Sequence, residues 1–440
     1  MDQISGFSKL TKKEKIDWIA SQLDNTSAEK FLTIKRFWQD NEQEQKVFDE
    51  FSENTITNFI FPYGIAPNFK INNKLFCVPM VIEESSVVAA ASKSAKFWQN
   101  RGGFKAEVIS VEKSGQVHFT WDGEKTALVN FFADYKDLIL NSVQDIVQNM
   151  EKRGGGVKDL ELVDRTSDLE NYYQLSASFN TCDAMGANFI NSVLEKFATT
   201  FEHYFQQEIN KNNIQGQLEI VMSILSNYTP NCLVKAHVEC PINELGNFGE
   251  GIDSNTFATK FKRAVDIAYH DRQRAVTHNK GIFNGIDAVI LATGNDFRSI
   301  EACGHAYAAK DGHYRSLTKC EINNDIFKFE IEIPIALGTI GGLTNLHPMA
   351  QTSLELLENP SAEQLMKIVA CVGLAQNFGA IQSLVTTGIQ KGHMKMHLLN
   401  ILNQLEAQDE EIEKAKEYFK MNTVSFSAVR EFLEQSREIQ

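Results

Sequence analysis

Residues 277–309, THNKGIFNGIDAVILATGNDFRSIEACGHAYAA, constrain this chain more than any other stretch. A short apolar run (Ala288, Val289, Ile290, Leu291, Ala292) stands between two polar turns, Asn279-Lys280-Gly281 and Thr293-Gly294-Asn295-Asp296. Arg298 to Ala309 then reads as a helix. The layout predicts a buried element with Lys280 near one end and Asp296 just past the other. Charged side chains are rarely buried unless paired, and a lysine forced inside finds a carboxylate or loses its proton. The plainer reading is an ion pair tying two loops together. The polar density around both residues, from His278, Asn279, Asn284, Asp287, Asn295 and Arg298, favours a site instead. Gly281, Gly285 and Gly294 would let backbone approach a ligand closely.

A chain of 440 residues is long enough for two or three domains with sizeable cores. Its net charge of −14, from 57 acidic and 43 basic side chains, argues against a nucleic-acid partner, which needs a basic face. A local basic pocket for a phosphorylated cofactor stays compatible with that balance. The seven cysteines are scattered, odd in number and without a C-x-x-C pair, so they read as reduced thiols rather than a disulfide frame. Cys303 stands in the central helix where a nucleophile could sit, although free cysteine is more often a small buried hydrophobe. The start of the chain, MDQISGFSKLTKKEK, has no apolar core of signal-peptide length. No apolar run reaches the roughly 18 residues of a membrane span. The expectation is a soluble, cytoplasmic protein with no membrane partner.

Residues 8–52 read as helical throughout, with Leu10, Ile16, Ile19 and Leu23 at mixed three-to-four spacing. Strand-like segments follow, punctuated by Pro62-Tyr63-Gly64, Pro67-Asn68 and Asn72-Asn73, before a helix over Val87–Asn100 that Arg101-Gly102-Gly103 ends. From about 104 to 222 the pattern is that of an insert. Two alternating segments (AEVISVEKSG and QVHFTWDG), a helix near 130–152, two more strands (LELVDR, YYQLSASFN), a long amphipathic helix over about 185–211 and a final strand, QLEIVMSIL, suggest a small antiparallel α+β layer. No G-x-G-x-x-G follows a strand there, which argues against a Rossmann unit. Beyond Asn227 come a strand (VKAHVECPI), a helix over 254–276, the central region and a strand pair around 313–335. The glycine-rich turn ALGTIGGLTNLHPMAQ could expose amides to an anion or simply pack tightly. A helix opens at Pro360-Ser361-Ala362-Glu363-Gln364 and runs to about Leu384; Gly388 and Gly392 interrupt the next, GIQKGHMKMHLLNILNQL.

Several residues in these segments suit catalysis but carry plainer readings too. Glu83 and Glu84, in PMVIEESSVVAAAS, would ordinarily be surface carboxylates. His393 and His397 stand at i, i+4, but Met-Lys-Met lies between them and no third ligand is evident, so a metal is not expected. A histidine of near-neutral pKa suits protonation of a leaving group, and glycines on either side would suit a hinge or a plain helix end. Asp183-Ala184-Met185-Gly186-Ala187-Asn188 is a G-x-N loop before a helix, weak evidence by itself for a phosphate site.

Taken together, THNKG, NGID, ATGND, EACGHAYAA and DAMGAN closely resemble the 3-hydroxy-3-methylglutaryl-coenzyme A reductases, of the soluble bacterial type called class II, over roughly residues 50–400. The resemblance implies an α/β (α+β) fold. A large CoA/substrate-binding domain (1–103 and 223–378) would be interrupted by a small non-Rossmann, ferredoxin-like NAD(P)-binding domain (104–222), with a C-terminal helical flap (379–440). It implies reversible four-electron reduction of (S)-HMG-CoA to (R)-mevalonate and CoA, with two NADPH or NADH and no metal, in mevalonate and isoprenoid metabolism. By family position, Lys280 is the oxyanion partner, Asp296 tunes it, Glu84 donates a proton and His393 protonates the departing thiolate. Glu84's role demands burial or neighbours that keep a carboxyl protonated. Ser86, Arg274 and Asn284 would hold substrate, with Asn227 a weaker candidate, and Asp183, Met185, Gly186, Ala187 and Asn188 would bind the cofactor. The family builds its site across a homodimer, so a homodimer or higher oligomer is expected. Two departures stand out: Ser85 replaces a proline common in bacterial relatives, and Glu53-Asn54-Thr55-Ile56-Thr57 replaces the dimer motif Glu-Asn-Val-Ile-Gly. Competing readings are a thiolase-like acyl-CoA transferase using Cys303 and a catalytically silent CoA-binding protein.

Overall fold

The computed structural model describes residues 2–249, 251–386, 398–420 and 422–438. Among the described residues, ten strands form three antiparallel sheets. In chain order they are β1 (Tyr63–Ile71), β2 (Lys74–Val81), β3 (Lys105–Val108), β4 (Lys113–Trp121), β5 (Gly156–Asp164), β6 (Tyr172–Asn180), β7 (Leu218–Leu225), β8 (Leu233–Pro241), β9 (Thr318–Asn323) and β10 (Ile326–Pro334). β1 and β2 make a hairpin; the two four-stranded sheets run β3-β8-β10-β9 (the β8 sheet) and β5-β6-β4-β7 (the β4 sheet).

Each four-stranded sheet has its own core, and the hairpin packs into that of the β8 sheet. Strict alternation along β4, with Val117, Phe119 and Trp121 inward, sends large apolar side chains against Phe197, Phe201 and Phe205 of the Ala187–Asn210 helix. The larger core is built by the helices Val87–Gln99, Ser254–His270, Arg272–Ala292 and Ala362–Val385 over β8 and β10. By length and composition the last of these could cross a membrane, yet 78% of its apolar window is buried inside the protein. A third apolar cluster joins Leu398, Ile401 and Leu402 to Ala415, Phe419, Val429 and Leu433 near the C-terminus.

The structure departs from the sequence-based reading in four places. Residues 8–52 form short helices, because Thr11, Asp24 and Asn41 each cap a new start with their side chains. The helix expected over 254–276 breaks at Asp271, whose carboxylate accepts the Arg274 N–H at 2.6 Å and opens the next helix. The segment around AEVISVEKSG does not belong wholly to the insert: β3 pairs with β8, and the β4 sheet begins at Lys113. Most consequentially, Asn279-Lys280-Gly281 is no turn. It lies in the middle of the 21-residue Arg272–Ala292 helix, whose buried positions (Ala275, Asn279, Ile282, Ile286, Val289) recur at three-to-four spacing.

Candidate active site

Tyr63 pairs with Val81 at the end of the β1–β2 hairpin, and the chain then turns through residues 82–86 into the Val87–Gln99 helix. At the N-cap Ser86 takes a left-handed conformation, φ 77°, uncommon for a residue with a side chain. This turn carries Glu84 onto the Arg272–Ala292 helix. Lys280 Nζ donates to Glu84 Oε2, and one helical turn on, Asn284 Nδ2 donates to the same oxygen at 3.3 Å.

Lys280 faces this turn because its neighbours are committed elsewhere. Asn279 is fully buried, donating to Arg315 O at 2.8 Å and accepting from Leu317 N at 3.0 Å. His278, also buried, is hydrogen-bonded through Nε2 to Thr318 Oγ1 at 2.6 Å, and burial pushes its pKa down to about 3. Both residues, read from sequence as part of a polar site, hold the helix in place. Lys280 itself is not sequestered: its side chain is 59% exposed and that of Glu84 38%. The expected burial of the lysine is therefore not found in the single chain.

Asp296 is not bonded to Lys280. It caps the Phe297–Ala308 helix, accepting from the N–H groups of Arg298 (3.1 Å) and Ser299 (3.4 Å) and from Arg298 Nε (3.2 Å). It lines a cavity of about 300 Å³ together with Lys113, Met185, Ala187, Asn227, Ser299 and Cys303. Asp296 thus stands beside the 183–188 loop. His393 and His397 lie outside the described residues, and Arg274 sits in the first turn of its helix, partly buried. Among the described residues, no group of three or more His, Cys, Asp or Glu is arranged to hold a metal ion.

The 183–188 loop is clamped from behind. Asp183 Oδ1 accepts the N–H of Ala362 at 2.7 Å, its carbonyl accepts that of Thr339 at 2.8 Å, and Gly338 N donates to Asn295 Oδ1 at 2.9 Å. The carboxylate of Asp183 is thereby occupied at the start of the Ala362–Val385 helix. Gly186, φ 84°, is the N-cap of the 24-residue Ala187–Asn210 helix, and a Cβ there would come within 2.4 Å of Thr181 Cγ2. Among the described residues no protein group accepts the N–H of Gly186, Ala187 or Asn188. Free amides at the positive end of a long helix fit the phosphates of a dinucleotide.

Two features escaped the reading of the sequence. Lys113, 6% exposed, places its ammonium against the same loop. Alternation along β4 was the available signal, since 113 shares its inward face with 115, 117, 119 and 121. Asp287 meets Glu301, with Glu83 nearby; burial first, then these two acids, push its pKa up to about 8. Periodicity from Lys280 shows its face but not its acidic neighbours. Cys303 is buried, its sulfur accepts the Thr229 N–H at 3.3 Å, and burial raises its pKa. A thiol kept protonated is a poor nucleophile, so the acyl-transfer reading finds no support.

The family model for hydroxymethylglutaryl-coenzyme A reductase matches residues 11–398. A relative from Archaeoglobus fulgidus named 3-hydroxy-3-methylglutaryl-coenzyme A reductase is 35% identical over 94% of this chain and 90% of its own length. One from Borreliella burgdorferi, named "Probable 3-hydroxy-3-methylglutaryl-coenzyme A reductase", is 33% identical over 99% and 98%. Among solved structures, the reductase from Streptococcus pneumoniae superposes with a TM-score of 0.71 at 32% identity, covering 99% of this chain and 100% of that one. A class II structure from the same organism, bound to NADPH in open conformations, gives 0.69 at 34% identity over 87% of this chain and 100% of its own. With a family match across most of its length, and relatives of equal extent above 30% identity, the chain belongs to the hydroxymethylglutaryl-coenzyme A reductases, a family of oxidoreductases.

Proposed function

We propose that this protein reduces (S)-HMG-CoA to (R)-mevalonate and CoA in the cytoplasm, consuming two NAD(P)H and two protons per turnover, and that it runs this chemistry at Lys280, Glu84, Asp296 and His393. The observation that carries the assignment of residues is the Lys280–Glu84 pair with Asn284 donating to the same carboxylate oxygen. A reduced nicotinamide held by residues 183–188 would supply the hydride for the thioester carbonyl carbon and for the aldehyde. Lys280 neutralises the negative charge that grows on the carbonyl oxygen. Asn284 holds Glu84 in register with the lysine, and Glu84 delivers the proton that completes the alcohol. His393 protonates the CoA thiolate as the thiohemiacetal collapses. Ser86 and Arg274 hold the acyl substrate, and Asp296 orders protons on the cofactor side.

The division of labour follows the cores. The β8 sheet and its helices would bind CoA and substrate, the β4 sheet with residues 183–188 would bind the dinucleotide, and the C-terminal segment would bring His393 over the site. We further propose a homodimer. The exposed side chains of Phe59 (86%), Ile60 and Phe61 leave the β1–β2 hairpin at the end where Val81 leads to Glu84, so a second copy covering them would also shield Lys280.

The test follows dinucleotide oxidation at about 340 nm with HMG-CoA and NADPH or NADH in turn. Expected are two equivalents oxidised per CoA released, and for a folded Lys280→Met variant a loss of at least about a hundredfold in kcat. Wild-type protein that oxidises no dinucleotide, or a lysine variant that keeps its rate, would overturn the reading.

A further inference from the structure

Among the described residues, no acid pairs with the buried ammonium of Lys113. Its Nζ lies 2.7 Å from Thr181 Oγ1, 2.9 Å from Ala184 O, 3.0 Å from Met185 O and 3.3 Å from Leu337 O. These four oxygens come from two separate segments beyond its own strand, and none belongs to a carboxylate. An ammonium has three hydrogens to give, so every one of them is taken by a backbone or hydroxyl dipole. Such a site keeps a lysine at a cost: desolvation disfavours its charged form, and here burial lowers its pKa. An apolar side chain would pack the start of β4 more cheaply, so the charge has a use that packing does not explain.

The use lies in which way the peptides face. A trans peptide points its C=O and N–H in opposite directions. With the carbonyls of Ala184 and Met185 turned toward Lys113, the N–H groups of Met185 and Gly186 turn away from it, that of Met185 onto the 338–340 segment that pairs with Ala184. The Gly186 N–H continues into the first, unaccepted N–H groups of the Ala187–Asn210 helix. Thr181 reinforces the arrangement, its Oγ1 donating to Ala184 O at 2.7 Å. Met185, Ala187 and Lys113 all border the cavity that Asp296 also lines. The same ammonium reaches Leu337, next to Gly338, whose Cβ would stand 2.4 Å from Met185 N. One cation therefore ties the β4 sheet, the 183–188 loop and the 337–340 segment together.

We propose that Lys113 is a positioning residue for the nicotinamide dinucleotide, drawing in two carbonyls so that the amides from Gly186 onward are presented to its phosphates. The inference rests on the reading that the 183–188 loop receives the dinucleotide, and it adds the group that holds that loop in its receiving conformation. Lys113 touches no substrate and acts only through the loop.

The test compares wild type, Lys113→Met, Thr181→Val and Thr181→Ser in the full-length protein, with NADPH titrated at saturating HMG-CoA and the reverse. For folded Lys113→Met, KM for NADPH should rise about tenfold, the scale of one lost charge-assisted hydrogen bond. KM for HMG-CoA should stay within about twofold. Should Lys113→Met fail to fold, Thr181→Val carries the test: KM for NADPH should rise about threefold, and Thr181→Ser, which keeps the hydroxyl, should restore it. Folded variants with unchanged KM for NADPH, or with both KM values rising together, overturn the role of Lys113 alone. Wild-type protein that turns over HMG-CoA without saturating in either NADPH or NADH, or that uses neither, overturns the reading beneath it as well.

Discussion

A Cβ placed on Gly285 would stand 2.9 Å from the carbonyl oxygen of Val372 and 2.9 Å from Gln376 Cβ. Across the same crossing, one on Gly373 would come within 2.8 Å of Ile286 Cγ1. The Arg272–Ala292 and Ala362–Val385 helices thus meet almost backbone to backbone, and the depth of that contact sets where Lys280 and Asn284 stand. Helix propensity alone would reward Gly285→Ala by about 1 kcal/mol. Overpacking against a fixed carbonyl costs about 1–3 kcal/mol and should win, because main-chain atoms cannot rotate aside. Calorimetry should show a melting temperature lowered by a few degrees; a rise would sink the argument.

Two asparagines on this helix should behave oppositely. Asn279 is fully buried with both ends of its amide bonded to the 315–317 segment, so Asn279→Ala should cost about 2–3 kcal/mol of stability. Asn284 makes one 3.3 Å bond to Glu84 at the helix surface, so Asn284→Ala should leave stability within about 1 kcal/mol while lowering kcat. Urea unfolding beside the dinucleotide assay separates the two; equal losses of stability would refute the distinction.

Asp287 should make stability depend on pH. Its folded value, about 8, lies above its ordinary 3.8, so at neutral pH folding takes up a proton. Its contribution is fully present below about pH 4 and is lost as pH rises through 8. Asp287→Asn removes that titration and should gain on wild type as pH is raised, by a few kcal/mol at the upper end. Unfolding measured at pH 5 and pH 8 decides it, and a difference between the proteins that does not change with pH counts against the buried acid pair.

Cys303→Ala should keep reductase activity within about threefold, since the thiol is buried, bonded to Thr229 N and held protonated. Complete loss of turnover in a folded variant, or acylation of Cys303 by HMG-CoA in wild type, would revive covalent chemistry.

Much of this protein could be read along the chain. Alternation placed the strands from β4 to β10 to within a few residues, and the Ala187–Asn210 and Ala362–Val385 helices followed from periodicity and their end signals. Residues 183–188 and 277–309 carried the family, because chemistry needs particular side chains at particular spacings whatever surrounds them. Local rules failed at Asn279-Lys280-Gly281, where asparagine and glycine spell a turn, but packing against residues about 90 positions later makes a helix. They failed again for the partner of Lys280. Sequence proximity suggested Asp296, whereas the bond goes to Glu84, 196 residues away. Residue types and periodicities are local and survive in the string of letters. Which carboxylate meets which ammonium, and how deep either lies, depends on the close packing of distant helices, and only the folded chain decides that.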